Sequence, residues 1–320
     1  SFDFLTKSFT NFCTLHKIKE FKMIVGLISL ILGCNSNTPM SEVTTGSTGQ
    51  FSLFLNHNDE ERTFILYVPD SYDGSEAVPV FFNFHGYGGT SEGQMEWADM
   101  RPVADSGNFI LVYPQGTDLE GSSHWNTSEI GGDNKSSADD HGFITYLIDQ
   151  IEVAYSVDTT RIYAVGYSNG GFFSYSLGCF LGDQFAAVGS VSGTMLDDSY
   201  QACEPTHPMG MINVHGTSDG VVPYEGGTGY TSIPDVVSWW VNYNGAETTA
   251  VESSSQSEGT TIERYSYPSS DGGNGIGIEH YKVINGDHVW FEEEFEGVSL
   301  GQTIWDYMSQ YDTSGLRVSE

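Results

Sequence analysis

The chain has 320 residues, 38% of them hydrophobic and 13% aromatic, which is enough to bury a core and too many for a disordered segment. Lys and Arg number 11 against 43 Asp and Glu, a formal net charge of −32, so the sequence carries no basic footprint for nucleic acid or anionic lipid. The acid reads as a solubilising surface, not as an acidic binding face.

Residues 1–33 read as an N-terminal extension and signal segment. Lys17, Lys19 and Lys22 precede an apolar run, M-I-V-G-L-I-S-L-I-L-G, too short for a stable membrane-spanning helix. The run ends at Cys34 and resembles a bacterial lipoprotein signal, with cleavage before Cys34 and a lipid on that residue; Met23 is a candidate start. An exported location follows, whether periplasmic, on the cell surface or extracellular. Residues 34–49 read as a flexible polar tether. Export permits disulfides, and with Cys13 and Cys34 set aside, Cys179 and Cys203 are expected to pair. No Cys or His stands beside them at metal-ligand spacing.

Residues 50–55 and 62–68 alternate in polarity and predict an antiparallel hairpin. Residues 78–84 and 109–113 are nearly continuous apolar runs, as in strands buried on both faces. A helix interrupted near Pro102 is expected over 93–106, and another over 141–155, with Asp139 or Asp140 as its cap. Strands then follow at 161–166, 187–192, 209–214 and 278–284, with helices at 170–181, 235–243 and 300–311. Residues 247–267 read as a polar surface excursion with one or two strands. This alternation predicts an α/β fold with a mainly parallel central sheet, an N-terminal antiparallel hairpin and helices on both faces. One catalytic domain over 50–313 and a tail over 314–320 complete the reading.

Two segments match G-x-S-x-G: Gly166-Tyr167-Ser168-Asn169-Gly170 and Gly216-Thr217-Ser218-Asp219-Gly220. Ser168 follows a buried strand and precedes a helix-compatible run, so it fits a strand-to-helix elbow. Ser218 is followed by V-V-P-Y, where Pro223 and the valines oppose a helix start. Ser168 is therefore the candidate nucleophile. Its base should lie late in the chain: His280 sits inside a strand, whereas His288 lies just past that strand's C-terminal end. Asp219 is the candidate acid that orients His288. Asp197 and Asp198 lie too far beyond their strand, Asp235 reads as a helix start, and Asp287 is too close to His288 to reach its far nitrogen. Oxyanion donors are expected from the backbone N–H of Asn169 and of Tyr87, in the loop H-G-Y-G-G-T, with Gly86 as the fallback. His85 reads as structural. Trp125 and Trp290, both in loops, are the candidate substrate contacts; Trp97, Trp239, Trp240 and Trp305 read as helix packing.

Together, R-T-F-I-L-Y-V-P-D-S-Y, F-H-G-Y-G-G-T, V-Y-P-Q-G, W-N, D-D-H-G-F, V-G-Y-S-N-G-G, V-H-G-T-S-D-G-V-V-P-Y and G-D-H-V-W resemble the polyhydroxybutyrate depolymerase/feruloyl esterase group of α/β-hydrolases, the carbohydrate esterase family 1-like esterases. They run from about residue 51 to 291. The resemblance implies ester hydrolysis by Ser168, Asp219 and His288, without metal or organic cofactor. It implies a hydroxycinnamoyl-polysaccharide or polyester oligomer as substrate; the sequence leaves the oligomeric state open, with a monomer favoured. Asp287 stands where the family often has a second Gly, placing a negative charge beside the base. A polymer-binding domain is not legible, which weakens the case for attack on solid polyester. The rivals are acetylxylan esterase, serine peptidase or acyltransferase activity on the same fold and, remotely, a non-catalytic binding module.

Overall fold

A computed structural model describes residues 38–128, 132, 134–270 and 275–317. The signal segment, Cys13 and Cys34 lie outside these residues.

The expected hairpin forms from β2 (Gly49–His57) and β3 (Glu60–Val68). It is joined to the parallel strands β4 (Val78–Phe84), β5 (Ile110–Pro114), β8 (Val157–Tyr167), β9 (Ala187–Val191), β10 (Gly210–Gly216) and β13 (Ile278–Val283). Their spatial order is β5-β4-β8-β9-β10-β13, and β3 lies antiparallel beside β5. Two short strands, β6 (Thr117–Leu119) and β7 (Ser122–His124), form a separate hairpin after β5.

Period-2 alternation divides β4 between two cores. Phe82 and Phe84 face one core and Phe81 faces the other. The first core packs under α3 (Asp140–Ala154), α4 (Asn169–Phe180) and α6 (Ile233–Asn244) through Phe143, Phe173 and Trp240. The second packs under α1 (Ser91–Trp97), α2 (Arg101–Gly107) and α7 (Leu300–Met308) through Met95, Val103 and Ile304. Helices therefore cover both faces, as the sequence predicts. The helix expected over 93–106 is two, with Pro102 in the first turn of α2, where a missing N–H costs no hydrogen bond. A short helix α5 (Asp197–Ala202) follows β9.

Three expectations need correction. Part of the tether is ordered: β1 (Thr38–Pro39) pairs in parallel with β2, and Met40 is buried in the first core. Met40, with Val43 packed partly buried against the same core, anchors a stretch whose composition is otherwise polar. Two strands form within 247–267 as expected, but they are part of the main sheet and not a surface excursion: β11 (Val251–Ser257) and β12 (Thr260–Tyr267) extend it antiparallel beyond β13, with Ile262 buried. The tail is not wholly free either, because Gly315–Leu316 pairs with Tyr311–Asp312.

The disulfide Cys179–Cys203 is present and ties the end of α4 to the segment after α5. Among the described residues no helix is long and apolar enough to cross a membrane.

Candidate active site

Ser168 occupies the turn between β8 and α4 with φ 51° and ψ −120°, a conformation unfavourable for a residue with a Cβ. Close backbone approach fixes the flanking glycines. A Cβ on Gly166 would run into the Gly170 backbone, and one on Gly170 into the Phe84 carbonyl. The Ser168 N–H donates to the Val191 carbonyl at 2.9 Å, anchoring the turn to β9.

The loops after β10 and β13 bring Asp219 and His288 to this turn. Ser168 Oγ donates to His288 Nε2 at 3.0 Å, and His288 Nδ1 donates to Asp219 Oδ2 at 2.7 Å. The tautomer follows from the partners, because an ionised carboxylate only accepts. Burial opposes ionisation of Asp219. Hydrogen bonds from His215, His288 and the N–H groups of Val222 and Val221 outweigh it, and they hold the carboxyl well below the usual carboxylate range. Asp219 is thus a fixed negative charge on the far side of the imidazole.

The two loops cross at Gly216, where a Cβ would strike the Gly286 backbone, and the Ser218 N–H donates to the Gly286 carbonyl at 2.9 Å. The second G-x-S-x-G match therefore owes its first glycine to the crossing. Ser218 itself is exposed, and its Oγ makes none of the contacts made by Ser168. Tyr167 props the His288 loop: its hydroxyl donates to the His288 carbonyl at 2.9 Å, and the rings lie 5.1 Å apart. Asp287 is exposed, and its Oδ1 accepts from the His288 N–H.

The other sequence candidates fall elsewhere. His280 is buried within β13 beside the Tyr224 hydroxyl, and burial lowers its pKa to about 3. Asp198 accepts from Ser128 Oγ and Asp197 from Thr231 Oγ1, while Asp235 lies in the first turn of α6. His85 is structural. Its Nδ1 donates to the Gly86 carbonyl, its Nε2 accepts from the Gly116 N–H, and burial lowers its pKa to about 4. These bonds hold the loop that carries Tyr87. Gly88 N–H adds another to the Ser123 carbonyl at 2.7 Å.

Asn169 is the first residue of α4, so its N–H has no acceptor within the helix and stands at the positive end of the helix dipole. Its side chain has a second role that sequence reasoning missed. Oδ1 accepts from the Trp125 N–H at 2.8 Å and Nδ2 donates to the Trp125 carbonyl at 3.1 Å. The Trp125 ring stacks on Phe173 at 4.9 Å and donates from Nε1 to the His85 carbonyl. Trp125 is nearly fully buried, yet it lines a cavity of about 290 Å³ beside Ser168, with Tyr87, Phe172, Leu196 and Tyr230. Lys135 stands over the Tyr87 ring at 4.7 Å.

Trp290 does not line this cavity. It is buried in the second core, because the chain turns inward directly after His288. Trp97 departs from its reading in the opposite sense. It is 41% exposed and packs edge to face on Tyr167, whereas Trp240 and Trp305 are helix packing as expected. His215 was also overlooked: its Nε2 lies 3.3 Å from Asp219 Oδ2 and 2.8 Å from the Val222 carbonyl. Its position four residues before Asp219, at a strand end, was the available signal.

Comparison with known proteins gives the family. The Esterase family model matches residues 56–258. The chain is 30% identical over 213 residues to a protein of Aspergillus clavatus named "Probable feruloyl esterase C", covering 63% of this chain and 72% of that one. It is 25% identical over 244 residues to feruloyl esterase C of Emericella nidulans, covering 74% and 82%. In fold it is similar to an acetyl xylan esterase from Aspergillus awamori, with a TM-score of 0.57 and 14% identity over 81% of this chain and 98% of the other. The chain belongs to the Esterase family of α/β-hydrolases and is a carboxylic ester hydrolase.

Proposed function

We propose that the protein is a feruloyl esterase, cleaving hydroxycinnamoyl esters of polysaccharide through an acyl-enzyme on Ser168. The observation that carries this reading is the continuous line Asp219–His288–Ser168 opening beside a cavity walled by aromatic and aliphatic side chains. His288 takes the Ser168 proton as Oγ attacks the ester carbonyl. Asp219 holds the imidazole in the productive tautomer and stabilises the imidazolium. The N–H groups of Asn169 and Tyr87 receive the developing oxyanion, each such donor contributing about 3 kcal/mol in comparable sites. His288 then protonates the departing alcohol and activates water to release the acid.

The cavity is at the lower end of small-molecule sites and suits one planar aromatic acyl group. Trp125 and Phe172 offer flat walls, and Thr127 adds a polar side chain to the lining, whereas the Asn126 amide is spent on the carbonyls of Ser136 and Ala138. The curated relatives named feruloyl esterases support the same acyl group. We further propose one catalytic domain over residues 50–313, acting as an exported monomer, with Cys34 as a site of lipid attachment.

The test is parallel hydrolysis of methyl ferulate and a 3-hydroxybutyrate oligomer, with Ser168→Ala as the blank. Preference for ferulate, abolished in Ser168→Ala, is expected. Preference for the hydroxybutyrate oligomer would replace the substrate, and turnover by Ser168→Ala would remove the nucleophile. Product analysis with a sugar acceptor separates hydrolysis from acyl transfer.

A further inference from the structure

We propose that Trp97 is the platform for the alcohol half of the ester, a sugar residue of the polysaccharide, on the opposite side of Ser168 from the acyl cavity; this rests on the feruloyl esterase reading. The division follows from proton transfer. His288 must deliver its proton to the leaving oxygen, so the departing alcohol lies against His288 and the acyl group points away from it. The cavity is lined by Ser168, Asn169, Trp125 and Phe172, but not by Trp97, Tyr167 or His288. Those three instead form a separate run of rings. Trp97 meets Tyr167 at 4.8 Å with an interplanar angle of 77°, and Tyr167 meets His288 at 5.1 Å. A Cβ on Gly86 would touch both the Tyr167 ring and Ser168 Cβ, so this run adjoins the nucleophile directly.

Trp97 ends α1, and its ring is held at one side by Tyr167 while 41% of the residue remains open to solvent. An indole fixed in this way offers a flat, electron-rich surface at little entropic cost. The C–H face of a pyranose or furanose ring is its complement. A methyl ester has no ring to place there, so the platform predicts discrimination between esters that share one acyl group and differ only in the alcohol.

The experiment compares kcat/KM for a feruloylated arabinoxylo-oligosaccharide with kcat/KM for methyl ferulate, in wild type, Trp97→Ala and Trp97→Phe. Trp97→Ala is expected to lower the oligosaccharide-to-methyl ratio roughly tenfold, mainly through KM, and Trp97→Phe to restore most of it. A ratio unchanged in Trp97→Ala, whether both substrates are lost equally or neither is affected, would overturn the proposal. Absence of wild-type turnover on methyl ferulate would instead overturn the feruloyl reading. The same ratio measured with acetylated xylo-oligosaccharide against 4-nitrophenyl acetate would then decide the role of Trp97.

Discussion

His215 Nε2 lies 3.3 Å from Asp219 Oδ2, so the carboxylate that orients His288 is itself held by a second, fully buried imidazole. His215 also donates to the Val222 carbonyl at 2.8 Å, tying down the turn whose N–H groups bind Asp219 Oδ1. Removing this donor leaves a buried carbonyl unpaired and loosens one side of Asp219. His215→Phe is expected to cost about 1–3 kcal/mol in stability and roughly tenfold in kcat. His215→Gln retains a donor and should recover most of the activity. Chemical unfolding and steady-state kinetics on methyl ferulate measure both. Loss of stability with wild-type kcat in the Phe variant would confine His215 to a packing role.

What the sequence made legible follows the physics of each signal. Buried parallel strands announce themselves as unbroken apolar runs, and the candidate triad lies at strand ends, where local context is strong. Ser168 was separable from Ser218 because Pro223 forbids a helix after the second motif. Relations across the fold were not legible. Trp290 reads as a loop contact and Trp97 as helix packing, yet the first turns into the second core and the second is left at the surface. Local context misplaces both; the direction of the chain after His288 and at the end of α1 decides. Met40 was hidden for a related reason, since one buried side chain with a partly buried Val43 beside it makes no periodic pattern.

Acid should destabilise the fold through buried neutral histidines. Burial lowers His85 and His141 to about 4 and His280 to about 3, against an ordinary value near 6.5. Below that ordinary value the unfolded chain binds protons that the folded chain refuses. The stability from these groups is therefore complete above pH 6.5 and is lost as pH falls towards 4, by about 1.4 kcal/mol per histidine per pH unit. Asp219 acts in the same direction only below about pH 3.8, where its depressed titration begins to cost stability. Thermal unfolding followed from pH 7 to 4.5 should show a falling midpoint. His141→Gln, which can still bond Ser176 Oγ, should show a shallower fall. Equal slopes for the two proteins would mean that His141 does not supply this linkage.

The Cys179–Cys203 bridge closes a loop with a sequence separation of 24 that contains β9, α5 and the cavity residue Leu196. By the loop-entropy estimate its removal costs about 3 kcal/mol, exerted mainly on the unfolded chain. The double variant Cys179→Ala/Cys203→Ala should unfold at lower urea concentration while retaining methyl ferulate turnover at room temperature. An unchanged unfolding midpoint would refute the stabilising role. A matched loss of turnover in the folded variant would mean that the bridge also shapes the cavity wall.

Asn169 offers a prediction that runs against chemical similarity. Its amide clasps both backbone groups of Trp125, fixing the cavity floor relative to the nucleophile turn. Asn169→Ala removes both bonds but keeps the backbone N–H proposed for the oxyanion, so a loss of about tenfold in kcat/KM is expected, with fluorophosphonate labelling of Ser168 retained. Asn169→Asp is closer in shape and keeps the acceptor for the Trp125 N–H. It also loses the donor to the Trp125 carbonyl and places a negative charge next to the site where the transition state develops one. In a partly desolvated site that repulsion outweighs the retained hydrogen bond, and a loss of roughly a hundredfold or more in kcat is expected. Kinetics of the two variants side by side decide the matter. If Asn169→Asp matched or exceeded Asn169→Ala in kcat, negative charge would not be developing near the first turn of α4, and the oxyanion would have to be sought elsewhere.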